Sequence, residues 1–201
     1  MVLPFLMAKL RVPRQNPPIS IKCGSDTLSF VILISPLLGL IANMIQVYKV
    51  KYNISIMHLE GQDNLPRRIM DEVMRPGSTT RVYIICPESV SSQLCRALYY
   101  SSLKEDEKFV RTHCWGVIQD EAQDLALQED FRSAFTLVIQ QPAFSSIRLM
   151  LISGTWTPYV VNKVKALLSH RNNFDFDRDL ISVDPNRANL YYAIQNTVFK
   201  L

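Results

Sequence analysis

The side chains best suited to chemistry stand where a hydrophobic run stops. Val117-Ile118-Gln119 leads into two adjacent acids, Asp120 and Glu121, followed by the small residue Ala122 and the amide Gln123. Paired carboxylates at a strand tip suit nucleotide hydrolysis, in which one acid holds a magnesium ion, usually through water, and the next polarises the attacking water. For a lone Asp-Glu step a solvated strand-to-helix turn is much the better reading, so the pair needs support from elsewhere in the chain. Other chemistries find less. His58, His113 and His170 have no carboxylate or cysteine at a metal-binding spacing and read as surface or strand-end residues. Ser153-Gly154-Thr155 is not the GxSxG of a hydrolase elbow. Cys23, Cys86, Cys95 and Cys114 form no CxxC pair and are expected to be reduced thiols of an intracellular protein, several of them in the core.

The elements that must hold these residues follow from hydrophobic periodicity. Short apolar runs at residues 30–34, 54–58, 81–85, 115–119 and 148–153 predict strands, with a less regular one at 180–183. Helix-compatible stretches follow the first five, at 37–51, 65–74, 91–101, 131–140 and 158–169, the last with Pro158 in its first turn. The alternation predicts an α/β fold whose mainly parallel sheet is covered by helices on both faces, with any site in the loops at the carboxyl ends of the strands. Residues 11–26, rich in proline and basic side chains, read as a surface loop, and 104–111 as a charged helical turn with a solvated face.

At 201 residues, 48% hydrophobic and 20% charged, the chain can bury a core without a disulfide or metal, which excludes disorder as its main state. Its 22 basic against 18 acidic residues give a net charge of +4, a bias that suits a polyanionic partner and is too small to establish one. Residues 27–48 carry no charge and are long enough to span a bilayer. Against a span, Ser35-Pro36 splits the run, Gly39, Asn43 and Gln46 dilute its second half, and 30–34 has the β-branched character of a buried strand. A strand followed by a helix is expected there, and no membrane partner. The apolar first ten residues are interrupted by Pro4 and lack both a preceding basic region and a following cleavage site, so no signal peptide is expected.

Further blocks support the acidic pair. Ile34-Ser35-Pro36-Leu37-Leu38-Gly39-Leu40-Ile41, Ile85-Cys86-Pro87-Glu88-Ser89, Asp120-Glu121-Ala122-Gln123 and Leu151-Ile152-Ser153-Gly154-Thr155 follow one another along the chain. In order and rough spacing they resemble motif Ia, motif Ib, the DEAH box and motif III of the first RecA-like domain of superfamily-two helicases. Asp130-Phe131-Arg132 with Phe135, and Asn186-Arg187-Ala188-Asn189-Leu190-Tyr191-Tyr192, are similar to segments of the RecQ branch. The resemblance covers nearly the whole chain, although each motif alone is weak. It implies a RecA-like P-loop NTPase-type three-layer sandwich over residues 1–183, incomplete at its amino terminus, and a linker at 184–201 toward a second RecA-like domain that is missing.

The resemblance also implies roles. Asp120 would hold magnesium, Glu121 would activate water, and Gln123 would couple the nucleotide state to the motif III hydroxyls of Ser153 and Thr155. Ser35, Pro36, Pro87 and Glu88 would lie along the backbone of single-stranded DNA. Helix capping after a strand is the plainer use of Ser35-Pro36 and Pro87-Glu88, and both uses are compatible. The implied function is ATP-dependent, 3′-to-5′ DNA unwinding, with ATP and Mg2+ as cofactors and single-stranded or forked DNA, or RNA, as partner. An intracellular location, nuclear in a eukaryote, goes with it.

Departures from the family pattern limit that reading. The chain has no GxxxxGK(S/T), the glycine-rich loop whose amides and lysine cradle the phosphates, and its opening Leu3-Pro4-Phe5-Leu6 resembles the helix just after that loop. Charge-assisted hydrogen bonds are worth roughly 1.5–3 kcal/mol each, so losing three weakens nucleotide binding at least about a thousandfold. The interval 124–129 lacks the aromatic and histidine of the family's DNA-contacting loop, and Gln123 stands where the box has histidine. A truncated gene or gene model is expected, with weak salt-sensitive nucleic-acid binding and no ATPase activity alone. The alternative is a catalytically inactive, helicase-derived module that binds nucleic acid or protein.

Overall fold

The computed structural model describes residues 28–90, 92–99, 104–127 and 147–168. In chain order the elements are β1 (Phe30–Ile34), α1 (Leu38–Tyr52), β2 (Ile56–His58), α2 (Leu65–Met74), β3 (Val82–Ile85), a 3-10 turn (Pro87–Ser89), α3 (Ser92–Tyr99), α4 (Glu105–His113), β4 (Cys114–Gln119), α5 (Asp124–Leu127), β5 (Leu149–Leu151) and α6 (Pro158–Leu167).

The strands form one five-stranded sheet in the order β2-β3-β1-β4-β5, every pair parallel. β1 lies at its centre, buried on both faces, which is why its sequence is a continuous apolar run and not an alternating one. Alternate side chains feed two cores. Ile32, Ile34, Tyr83, Ile85 and Val117 pack with Leu65, Ile69, Leu94 and Val110 of α2, α3 and α4. Leu33, Ile84 and Ile118 point the other way and pack with Ile41, Met44 and Tyr48 of α1. A third cluster sets Leu125 of α5 and Val160 and Val164 of α6 over Leu149 and Leu151. The result is an α/β architecture with an all-parallel sheet between helical layers.

Aromatic contacts brace the first core. Phe30 meets Tyr83 edge-on with ring centroids 5.6 Å apart and stacks on Phe109 of α4 at 6.5 Å. Truncating a fully buried ring to alanine costs roughly 3–5 kcal/mol, so Phe30→Ala should damage this layer severely.

β1 and α2 have the bounds expected from the sequence, and the other expected elements in the described region differ by a few residues at their ends. The 104–111 turn is a full helix, α4, with Glu105, Asp106 and Glu107 in its first turn and Arg111 and His113 in its last, as the helix dipole favours. The described part of the uncharged run, residues 28–48, holds central strand β1 and most of helix α1, and among the described residues no helix is long and apolar enough to cross a membrane. Two elements were not expected: the 3-10 turn at Pro87–Ser89 and α5, a single turn directly after the acidic pair. The expected helix at 131–140 and strand at 180–183 lie outside the described residues, as do Asp130, Phe131, Arg132 and the 186–192 segment.

Candidate functional site

The strands deliver their carboxyl ends to one edge of the sheet, and backbone hydrogen bonds carry the ladder beyond them. Ser35 N–H donates to Ile85 O at 3.0 Å, Asp120 N–H to Ile34 O at 2.9 Å, Ile152 N–H to Gln119 O at 2.8 Å and Ala122 N–H to Ile152 O at 2.8 Å. These four bonds fix the loops after β1, β4 and β5 against one another. β1 passes the chain to α1 on one face of the sheet, whereas β4 passes it to α5 on the opposite face. The crevice of an open parallel sheet lies at such a reversal, here between Ser35-Pro36 and Asp120-Glu121.

Asp120 is 9% exposed, and burial raises its carboxyl above the ordinary value of 3.8; a backbone hydrogen bond at Glu121 opposes the rise and the neighbouring Glu121 charge adds to it. Glu121 sits at φ 49°, in the left-handed region that costs a non-glycine residue roughly 1–2 kcal/mol. That turn breaks strand geometry immediately after Asp120 and allows α5 to start. Gln123 occupies the centre of a polar chain. Its Nε2 donates to Glu121 Oε2 at 2.6 Å, its Oε1 accepts from the Ser153 hydroxyl, and Ser153 Oγ in turn accepts from the Thr155 N–H at 3.0 Å. Glu121, Gln123, Ser153 and Thr155, separated by up to 34 positions in sequence, are thereby brought into one hydrogen-bonded unit across the β4 and β5 loops.

The remaining site residues are arranged differently. Ser35 is fully buried, its hydroxyl has no hydrogen-bond partner, and the N-cap of α1 is Leu37 without a side-chain cap. Ser35 therefore neither caps the helix nor presents its hydroxyl to solvent; Leu37 and Leu38 are the exposed residues of that loop, at 51% and 63%. Pro87 is buried in the first position of the 3-10 turn, while Glu88 is exposed and its carbonyl accepts from Gln62 Nε2. Pro158 does begin α6, where Thr157 Oγ1 caps by accepting from Val160 N–H at 3.3 Å.

By donor type, Asp120 and Glu121 suit a hydrated magnesium ion, which is commonly held through one or two carboxylates. Among the described residues no group of three or more His, Cys, Asp or Glu is placed to hold a metal ion. The arrangement supplies a polar relay and a carboxylate pair.

One juxtaposition was not legible in the sequence. His58 at the end of β2 and Cys86 just after β3 lie 4.0 Å apart, although 28 positions separate them, because the parallel pairing of β2 with β3 sets His58 opposite Ile84.

No family model and no curated protein matches the chain. Fold and site together define its class as an α/β protein whose described residues form a five-stranded parallel sheet with a polar cluster at the carboxyl ends of its strands.

Proposed function

We propose that the chain is a RecA-like domain of the RecQ-like helicase type that binds single-stranded nucleic acid along the carboxyl edge of its sheet. The observation that carries this reading is the hydrogen-bonded unit from Glu121 through Gln123 to Ser153 and Thr155. A motor domain needs a mechanical link between its acidic box and the following strand's loop, and a buried strand tip at a topological reversal is where parallel sheets bind ligands. In this reading the intact motor uses Mg-ATP, with Asp120 on the metal side and Glu121 on the water side, and works on DNA inside the cell.

A second reading, a nucleic-acid-binding module without turnover, is favoured by Asp120. Asp120 is 9% exposed, which leaves its carboxyl little open surface for a hydrated cation. Titration of the purified chain with Mg-ATP separates the two. ATP turnover abolished by Glu121→Gln supports a working motor; absence of ATP binding together with salt-sensitive binding of a single-stranded oligonucleotide supports the module. Failure to bind either ligand contradicts both.

A further inference from the structure

Away from the acidic pair, three side chains of different chemistry converge at the β2–β3 end of the sheet. Cys86 Sγ lies 4.0 Å from His58 Nε2, the outer reach of a hydrogen bond to sulfur, and His58 Nδ1 lies 3.6 Å from Glu60 Oε1. A thiol on one ring nitrogen and a carboxylate on the other form the sequence nucleophile, base, orienting group. In the tautomer that carries its proton on Nδ1, on the Glu60 side, the imidazole has an Nε2 lone pair for the thiol.

The other described cysteines lack such a setting. Cys95 is buried in the first core, and burial raises its thiol. Burial pushes the Cys114 thiol up to about 12. Cys86 and Cys114 are both partly buried, and of the two it is Cys86 that faces an imidazole nitrogen; it stands on a loop joined to the β2 end by the Gln62–Glu88 hydrogen bond. Reactivity of a cysteine follows access and thiolate character, and Cys86 is the described cysteine with both a base and an opening.

We propose that Cys86, with His58 as its base and Glu60 as a positioning residue, is a thiol modification site that takes low-molecular-weight disulfides. Cys86 Sγ gives its proton to His58 Nε2, and the thiolate attacks one sulfur of the disulfide. A new Sγ–S bond forms as the disulfide S–S bond breaks, and the departing thiolate takes the proton back from His58. One thiol and one disulfide become one mixed disulfide and one thiol, with no other reactant.

The test is brief exposure of the full chain to oxidised glutathione at neutral pH, with site-resolved mass spectrometry of each cysteine. Cys86 is expected to form the mixed disulfide at least about tenfold faster than Cys95 or Cys114, and His58→Gln to slow it about tenfold while Cys95 stays protected. Equal rates at Cys86 and Cys114 in the parent, or an unchanged Cys86 rate in His58→Gln, would overturn the proposal. If Cys95 becomes reactive in His58→Gln, that variant has unfolded and Glu60 decides, since its side chain is 83% exposed and Cys95 is expected to stay protected when it is replaced. Glu60→Gln is expected to slow Cys86 several-fold and Glu60→Asp to restore part of the rate. A Cys86 rate indifferent to both Glu60 variants overturns the arrangement.

Discussion

The side-chain amide of Gln123 donates to Glu121 Oε2 at 2.6 Å while its carbonyl oxygen accepts from Ser153. One residue thus ties the left-handed turn after β4 to the loop after β5. Any movement of the β5 loop that pulls on Gln123 also reorients the Glu121 carboxylate.

That coupling is measurable. Gln123→Ala and Ser153→Ala should each destabilise the protein by about 1 kcal/mol, and the double variant should show an interaction energy of about 0.5–1.5 kcal/mol in a urea-denaturation cycle. Strict additivity of the two substitutions would contradict a shared bridge.

Asp120 predicts a pH dependence of stability. Its folded value lies above 3.8, so the native state holds more protons than the unfolded chain between that value and the folded one. Stability from this group is therefore present at low pH and lost as pH rises through the folded value. Asp120→Asn should be more stable than the parent near neutrality, and the advantage should disappear as pH falls to about 3.8. Paired urea titrations at the two ends of that range check it, and an advantage that grows on acidification would have the wrong sign.

Gly116 determines how closely β5 approaches β4. A Cβ there would stand 2.9 Å from the carbonyl oxygen of Arg148, and that oxygen cannot retreat without loosening its 2.8 Å bond from Val117 N–H. Gly116→Ala should cost about 1–3 kcal/mol, read as a lowered thermal midpoint. An unchanged midpoint would show that the Arg148 backbone gives way freely.

Legibility in the sequence followed the physics of each element. β1 was readable because burial on both faces demands an unbroken apolar run, and α2 because one buried face imposes a helical period. α5 was not, since a single turn is too short to show a period. The acidic pair at the end of β4 was visible from residue types. Its tie to Ser153 was suggested only by a family resemblance, because the bond joins residues 30 apart. Ser35 misled as a candidate cap: its neighbours in sequence do not reveal that the hydroxyl is sealed between β1 and its surroundings. His58 and Cys86 looked solitary because strand register, not spacing, brings them together.

Nucleic-acid binding is the central claim, and fluorescence anisotropy of a labelled single-stranded oligonucleotide, titrated with the purified chain at low and moderate salt, tests it most directly. The account predicts saturable binding whose log affinity falls with log salt concentration by about 0.7 per phosphate contacted. Absence of binding at low salt, or an affinity indifferent to salt, would contradict it.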